Sequence, residues 1–120
     1  MSACFGRGSV VFLMSILLMA CEAESPAEKY LHEATAIKRG KAIFTGTCMG
    51  YCHSRIPSRR AAPYLFDCEW RHGGKDEDIF HTITTGVPAT DMRSYAGKLP
   101  EGDEDVWKII AFLKTQRTSC

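Results

Sequence analysis

The chain has 120 residues, with 15 lysines and arginines against 14 aspartates and glutamates, so its net charge is +1. That balance lacks the basic face of a nucleic-acid-binding domain, and no nucleic-acid partner is expected. Without its leader the chain keeps about 100 residues, which limits it to one domain with a marginal core, one that a large apolar cofactor would help to fill.

Residues 1–20 read as an export signal peptide: Arg7 gives a positive start, "SVVFLMSILLMA" gives an apolar run too short to span a bilayer, and small Ala20 precedes Cys21. Removal of Arg7 leaves 14 basic residues against 14 acidic ones. Leu18, Met19, Ala20 and Cys21 resemble the lipobox of bacterial lipoproteins, which implies that Cys21 is lipidated and becomes the mature N-terminus. The competing reading is ordinary cleavage after Ala23, which releases a soluble protein. The favoured localisation is exported and periplasmic, tethered to a membrane through Cys21.

Of six cysteines, Cys4 leaves with the signal and Cys21 is the lipid candidate. Cys48, Cys52, Cys68 and Cys120 then remain in an oxidising compartment, where unpaired thiols are unusual.

Residues 21–33 are polar, carry Pro26 and show no apolar period, so they read as a flexible tether. From about Glu33 to Thr45, Ala36, Ile37, Gly40, Ile43 and Phe44 recur at helical spacing, and a glycine one turn before an aromatic suggests a closely crossing helix. Residues 54–73 are loop-like, interrupted by Pro57, Pro63 and Gly73. "KDEDIFHTITTG" predicts a short helix with an acidic first turn, a face of Ile79, Phe80 and Ile83, and a stop at Gly86. "VPATDMRSYAGKLPEG" is a second loop. "DEDVWKIIAFLKTQR" is the clearest helix: Asp103 is its candidate cap, Val106, Ile109, Ile110 and Leu113 form its stripe, and Lys114 and Arg117 suit its end. No segment alternates as a strand.

Between the first helix and the first loop stands "GTCMGYCHSR". Two cysteines followed at once by histidine mark covalent haem attachment, in which each sulfur takes one vinyl group and the histidine ligates iron. The usual spacer is two residues; here it is Met49, Gly50 and Tyr51. Cys52 and His53, the pair least able to move apart, remain adjacent, and at a spacing of four Cys48 still lies on the same helical face about one turn away. A local bulge is expected to absorb the extra residue, with Gly50 free to take positive φ. Two other readings compete: zinc held by Cys48, Cys52 and His53 with Cys68 or His72, and a plain Cys48–Cys52 disulfide.

"RGKAIFTGTCMGYCHS", "AAPYLFDC", "GVPATDM" and "VWKIIAFLKT" together resemble, in that order, the N-terminal helix and haem motif, the proline loop, the distal methionine loop and the C-terminal helix of class I cytochromes c. The likeness runs over about residues 34–116. It implies an all-α, small cytochrome c fold over residues 34–120, with three or more helices around one haem c. It also implies that Gly40 and Phe44 meet Ile109, Phe112 and Leu113 where the terminal helices cross.

By the same resemblance Cys48 and Cys52 attach the haem, His53 is one iron ligand, and the Pro63 carbonyl accepts a hydrogen bond from that histidine. Leu65 and Tyr95 line the haem pocket. Met92 is the second ligand. The mature chain has only one other methionine, Met49, inside the attachment loop on the histidine side, and Met92 lies in the loop that matches the family's ligand loop. His72 and His81 stay open as alternatives. Arg55, Arg59 and Arg60 answer either haem propionates or an acidic partner, or are a solvated loop, and Trp70 is a further candidate beside the propionates. The segment after the proline loop packs near the C-terminal helix in this family, so a Cys68–Cys120 disulfide is within reach; Cys120 left free, or paired between chains, is the alternative.

The implied function is one-electron transfer by a monomeric carrier, not an enzyme, with a periplasmic dehydrogenase or a terminal oxidase as redox partners. The rivals are a haem protein with an open distal site, acting as a peroxidase or gas binder, and a disulfide-stapled lipoprotein without haem.

Overall fold

The computed structural model describes residues 23–50, 52–56 and 62–120. Among the described residues the chain forms α1 (Pro26–Leu31), α2 (Ala34–Ile43), a π-helical turn (Phe44–Cys48), α3 (Asp76–Thr85) and α4 (Asp103–Gln116), and no strand. The fold is all-α, as expected. The leader with Cys21, as well as Tyr51, Arg59 and Arg60, lies outside the described residues. Among the described residues no helix is long and apolar enough to cross a membrane.

Helix α4 organises the molecule because its apolar residues point two ways. Val106 and Ile110 join Ala27 and Ile79 in one buried cluster, while Ile109, Phe112 and Leu113 join Phe44 and Phe66 in another. Helix α2 crosses α4 at Gly40, where a β-carbon would stand only 2.0 Å from the Lys108 carbonyl oxygen. One turn on, Phe44 lies 5.7 Å edge-on from Phe66 and 5.8 Å from Phe112. Full burial of such a ring contributes about 1.5–3 kcal/mol. The crossing of Gly40 and Phe44 with α4 is thus the one the sequence implied.

The start of α4 differs from expectation. Gly102, with φ 58°, precedes the helix, and Asp103 makes no capping hydrogen bond. Asp105, wholly buried, serves instead: it accepts the Glu101 N–H at 2.9 Å and both arms of Arg39 at 2.6 and 3.0 Å. An inward-facing carboxylate two residues into the helix can reach back to the entering chain and across to α2, and Asp103 on the exposed side does neither.

The tether is also corrected. Six of its residues form α1, with Ala27 at 0 % exposure against α4. The Ser25 hydroxyl donates to Asp76, and Lys114 bridges Asp76 (2.7 Å) and Glu28. A helix this short shows too little of a period to be recognised, and its stability comes from tertiary packing.

Helix α3 begins with Asp76, Glu77 and Asp78, and Asp78 accepts the Lys75 N–H at 3.3 Å. Phe80 stacks on Trp107 of α4 at 4.2 Å. The helix ends at Gly86, whose φ of 73° turns the chain back so closely that a β-carbon would lie 2.6 Å from the Met92 carbonyl oxygen.

Candidate functional site

Helix α2 does not stop at Ile43 but widens into the motif. The Met49 N–H donates to the Phe44 carbonyl at 2.9 Å and the His53 N–H to the Cys48 carbonyl at 3.0 Å, each across five residues. Five-residue bonds are π-helical, and one extra residue in an α-helix produces such a ring. Gly50 is not among the positive-φ glycines, which in the described residues are Gly73, Gly86, Gly97 and Gly102. The expected local bulge is present as wider hydrogen-bonded turns, but its dependence on Gly50 is corrected: Met49 keeps a helical φ of −84° and Gly50 does not take positive φ.

The turn delivers a buried histidine. His53 is 8 % exposed, and its Nδ1–H donates to the Pro63 carbonyl at 2.9 Å. Because a carbonyl only accepts, Nδ1 carries a proton, and in the neutral ring Nε2 is left with the lone pair. Leu65 and Tyr64 flank this loop and pack on the Phe44–Phe66 cluster. Cys48, half-buried in the same cluster, and exposed Cys52 are free thiols. Burial, with a smaller push from Cys52, raises the Cys48 thiol to about 11, so it is a neutral group in an apolar setting. The structure thus brings Cys48, Cys52, His53, Pro63 and Leu65 together.

Met92 and Tyr95 lie on a separate loop fastened to the end of α3. Val87 N–H donates to the Met92 carbonyl at 2.9 Å, Ser94 Oγ to the Thr84 carbonyl at 2.5 Å, and Tyr95 N–H to the Ile83 carbonyl at 2.9 Å. Both side chains are half-buried, whereas His72 and His81 are exposed.

Cys68 and Cys120 form a disulfide with Cα atoms 5.4 Å apart. That bond removes Cys68 as a fourth zinc ligand, and among the described residues no three His, Cys, Asp or Glu side chains converge on a metal position. A zinc ligand must also be deprotonated, which the burial of Cys48 opposes. The Trp70 indole N–H is spent on the Asp67 carbonyl at 3.2 Å, and Arg55 lies over the Phe66 ring. What the sequence did not disclose is the bracing of the Pro63 loop by Thr118, whose backbone N–H donates to the Phe66 carbonyl at 3.1 Å. A main-chain donor leaves no mark in residue type.

Residues 35–113 match the family described as cytochrome C oxidase, cbb3-type, subunit III. The chain belongs to this family. The fold is similar to that of cytochrome cL from the marine methylotrophic bacterium Methylophaga aminisulfidivorans, with a TM-score of 0.64 and 21 % identity over 83 % of this chain and 71 % of that one. No curated protein matches the sequence. As a member of the cbb3-type subunit III family the protein is a haem-based electron carrier with a covalently bound c-type haem. Its residues fit that group: two free thiols flank a widened turn, and beside them stands a buried imidazole whose outer nitrogen is an acceptor.

Proposed function

We propose that the protein is an exported, periplasmic one-electron carrier, with haem attached through Cys48 and Cys52, His53 and Met92 as axial ligands, and lipid on Cys21. The observation that carries this reading is the His53–Pro63 hydrogen bond of 2.9 Å beside two free cysteines. It fixes the ring and its tautomer, and it makes Nε2 a stronger donor. When bound, haem iron supplies a one-electron ferric/ferrous couple, whose potential is raised by a thioether relative to a second imidazole. Leu65 and Tyr64 exclude water on the histidine side, and the bonds from the 87–95 loop to α3 support a fixed position for Met92 and Tyr95. With His53 and Met92 both given to iron, the chain would leave no open site on the haem for substrate. Partners are a periplasmic dehydrogenase as donor and a terminal oxidase as acceptor, the latter in keeping with the family, and the carrier acts as a monomer.

The mature protein denatured in acidic acetone is expected to keep its haem as a covalent adduct on the Cys48–Cys52 peptide; extraction of the haem would refute the attachment. Met92→Ala is expected to abolish the far-red band of sulfur-ligated ferric haem and to lower the reduction potential. If instead both are altered only by His72→Ala or His81→Ala, the ligand is histidine. Cys21→Ser is expected to move the protein from membranes to the soluble fraction, and an unchanged membrane pool would reject the anchor.

A further inference from the structure

We propose that the C-terminal tail, through the Cys68–Cys120 bridge and the Thr118 N–H, positions the Pro63 carbonyl on His53 and so tunes the iron ligand from the far end of α4. The inference rests on His53 ligating iron, as proposed above.

The Pro63 carbonyl sits in residues 62–75, which among the described residues form no helix before α3. Its restraint comes from elsewhere in the chain. Three residues after Pro63, the Phe66 carbonyl accepts the Thr118 N–H at 3.1 Å. Two residues further, Cys68 is bonded to Cys120. Beyond that, the Arg117 guanidinium lies 5.8 Å over the Trp70 ring and donates to the Gly74 carbonyl at 3.0 Å. Residues 117–120 are thus sewn along the loop at four positions, Phe66, Cys68, Trp70 and Gly74.

Apolar packing of Phe66 on Phe44 and Phe112 also holds this loop, but such contacts are non-directional, whereas a hydrogen bond needs its acceptor placed to a fraction of an ångström. The tail has little else to hold it, since Thr118, Ser119 and Cys120 are exposed. Cut loose, this exposed segment opens locally, and the Phe66 carbonyl loses its partner. The loop then gains freedom, the His53–Pro63 bond weakens, and the imidazole donates less to iron. A poorer donor disfavours the ferric state, so the reduction potential rises.

The test compares holoproteins. Cys68→Ser/Cys120→Ser removes the bridge. Thr118→Pro keeps the bridge and deletes only the N–H; Arg117, at ψ 145°, already has the extended backbone that a following proline requires. Asp105→Asn, whose hydrogen-bond partners Arg39 and Glu101 lie outside residues 62–75 and 117–120, serves as a variant of lowered stability alone. Both tail variants are expected to shift the potential upward and to speed solvent exchange of the His53 Nδ1–H in proton NMR, with the sulfur band retained, while Asp105→Asn moves neither. An unchanged potential in both tail variants, or an equal shift in Asp105→Asn, overturns the proposal while leaving covalent haem in place. Loss of the haem from the wild type in acidic acetone would instead sink the functional reading itself. Should the double variant fail to accumulate, Thr118→Pro decides alone.

Discussion

The Cys48 carbonyl accepts the His53 N–H across five residues at 3.0 Å, where a two-residue spacer would place the same amide only four residues from the first cysteine. The motif's extra residue therefore shows as a change of helical ring size, and Gly50 takes no positive φ to absorb it.

Gly50 should accordingly be replaceable. A β-carbon there would meet nothing nearer than the Gly46 carbonyl oxygen at 3.9 Å. Gly50→Ala is expected to retain full covalent haem, by absorbance per mole of chain, and to gain up to about 1 kcal/mol from the narrower unfolded ensemble. Loss of haem in this variant would show that the motif depends on glycine conformation after all.

Gly40 is the opposite case. With a β-carbon 2.0 Å from the Lys108 carbonyl oxygen, α2 and α4 must move apart. Gly40→Ala is expected to cost about 1–3 kcal/mol in chemical denaturation, and an unchanged midpoint would mean the crossing is looser than described.

Acid stability should follow Asp105. Burial alone would raise its carboxyl, but Arg39, the Glu101 N–H and Lys108 outweigh that and hold it below the ordinary carboxylate value. A group depressed on folding contributes stability at pH values above its unfolded value, about 4, and loses it as pH falls further. Asp105→Asn is therefore expected to lower stability at neutral pH and to flatten the fall in melting temperature below about pH 4. A wild-type slope retained in the variant would assign the acid transition to other carboxylates.

Helix α1 should behave as part of the folded unit. Ala27→Glu would force a charge into a site of 0 % exposure, and it is expected to expose Lys29 to trypsin under conditions in which the wild type resists cleavage there. Equal cleavage rates would restore the tether.

Legibility in the sequence tracked the range of the interaction. The stripes of α2, α3 and α4 were readable because ten or more residues repeat one period, and Gly86 stopped α3 where expected. The adjacency of Cys52 and His53 marked the motif, and family likeness directed attention to Pro63. Helix α1 was invisible because six residues with one buried alanine carry no period, and its partners Asp76 and Lys114 are distant in sequence. In the sequence Asp105 is simply an acidic residue that favours the start of α4; the crossing of Arg39 from α2 is what distinguishes it. A bulge in the motif was legible from its spacing, but its form was not, because ring size is decided by which carbonyl an amide finds and residue types do not encode that choice.

The docking of α1 bears on reach. With Ser25 fastened to Asp76, only four residue steps separate the folded body from Cys21, about 14 Å at full extension. A lipid at that position would leave no long leash. The carrier would rest at the bilayer surface and roam in two dimensions, so each exchange partner must offer its redox centre within a few nanometres of the same membrane.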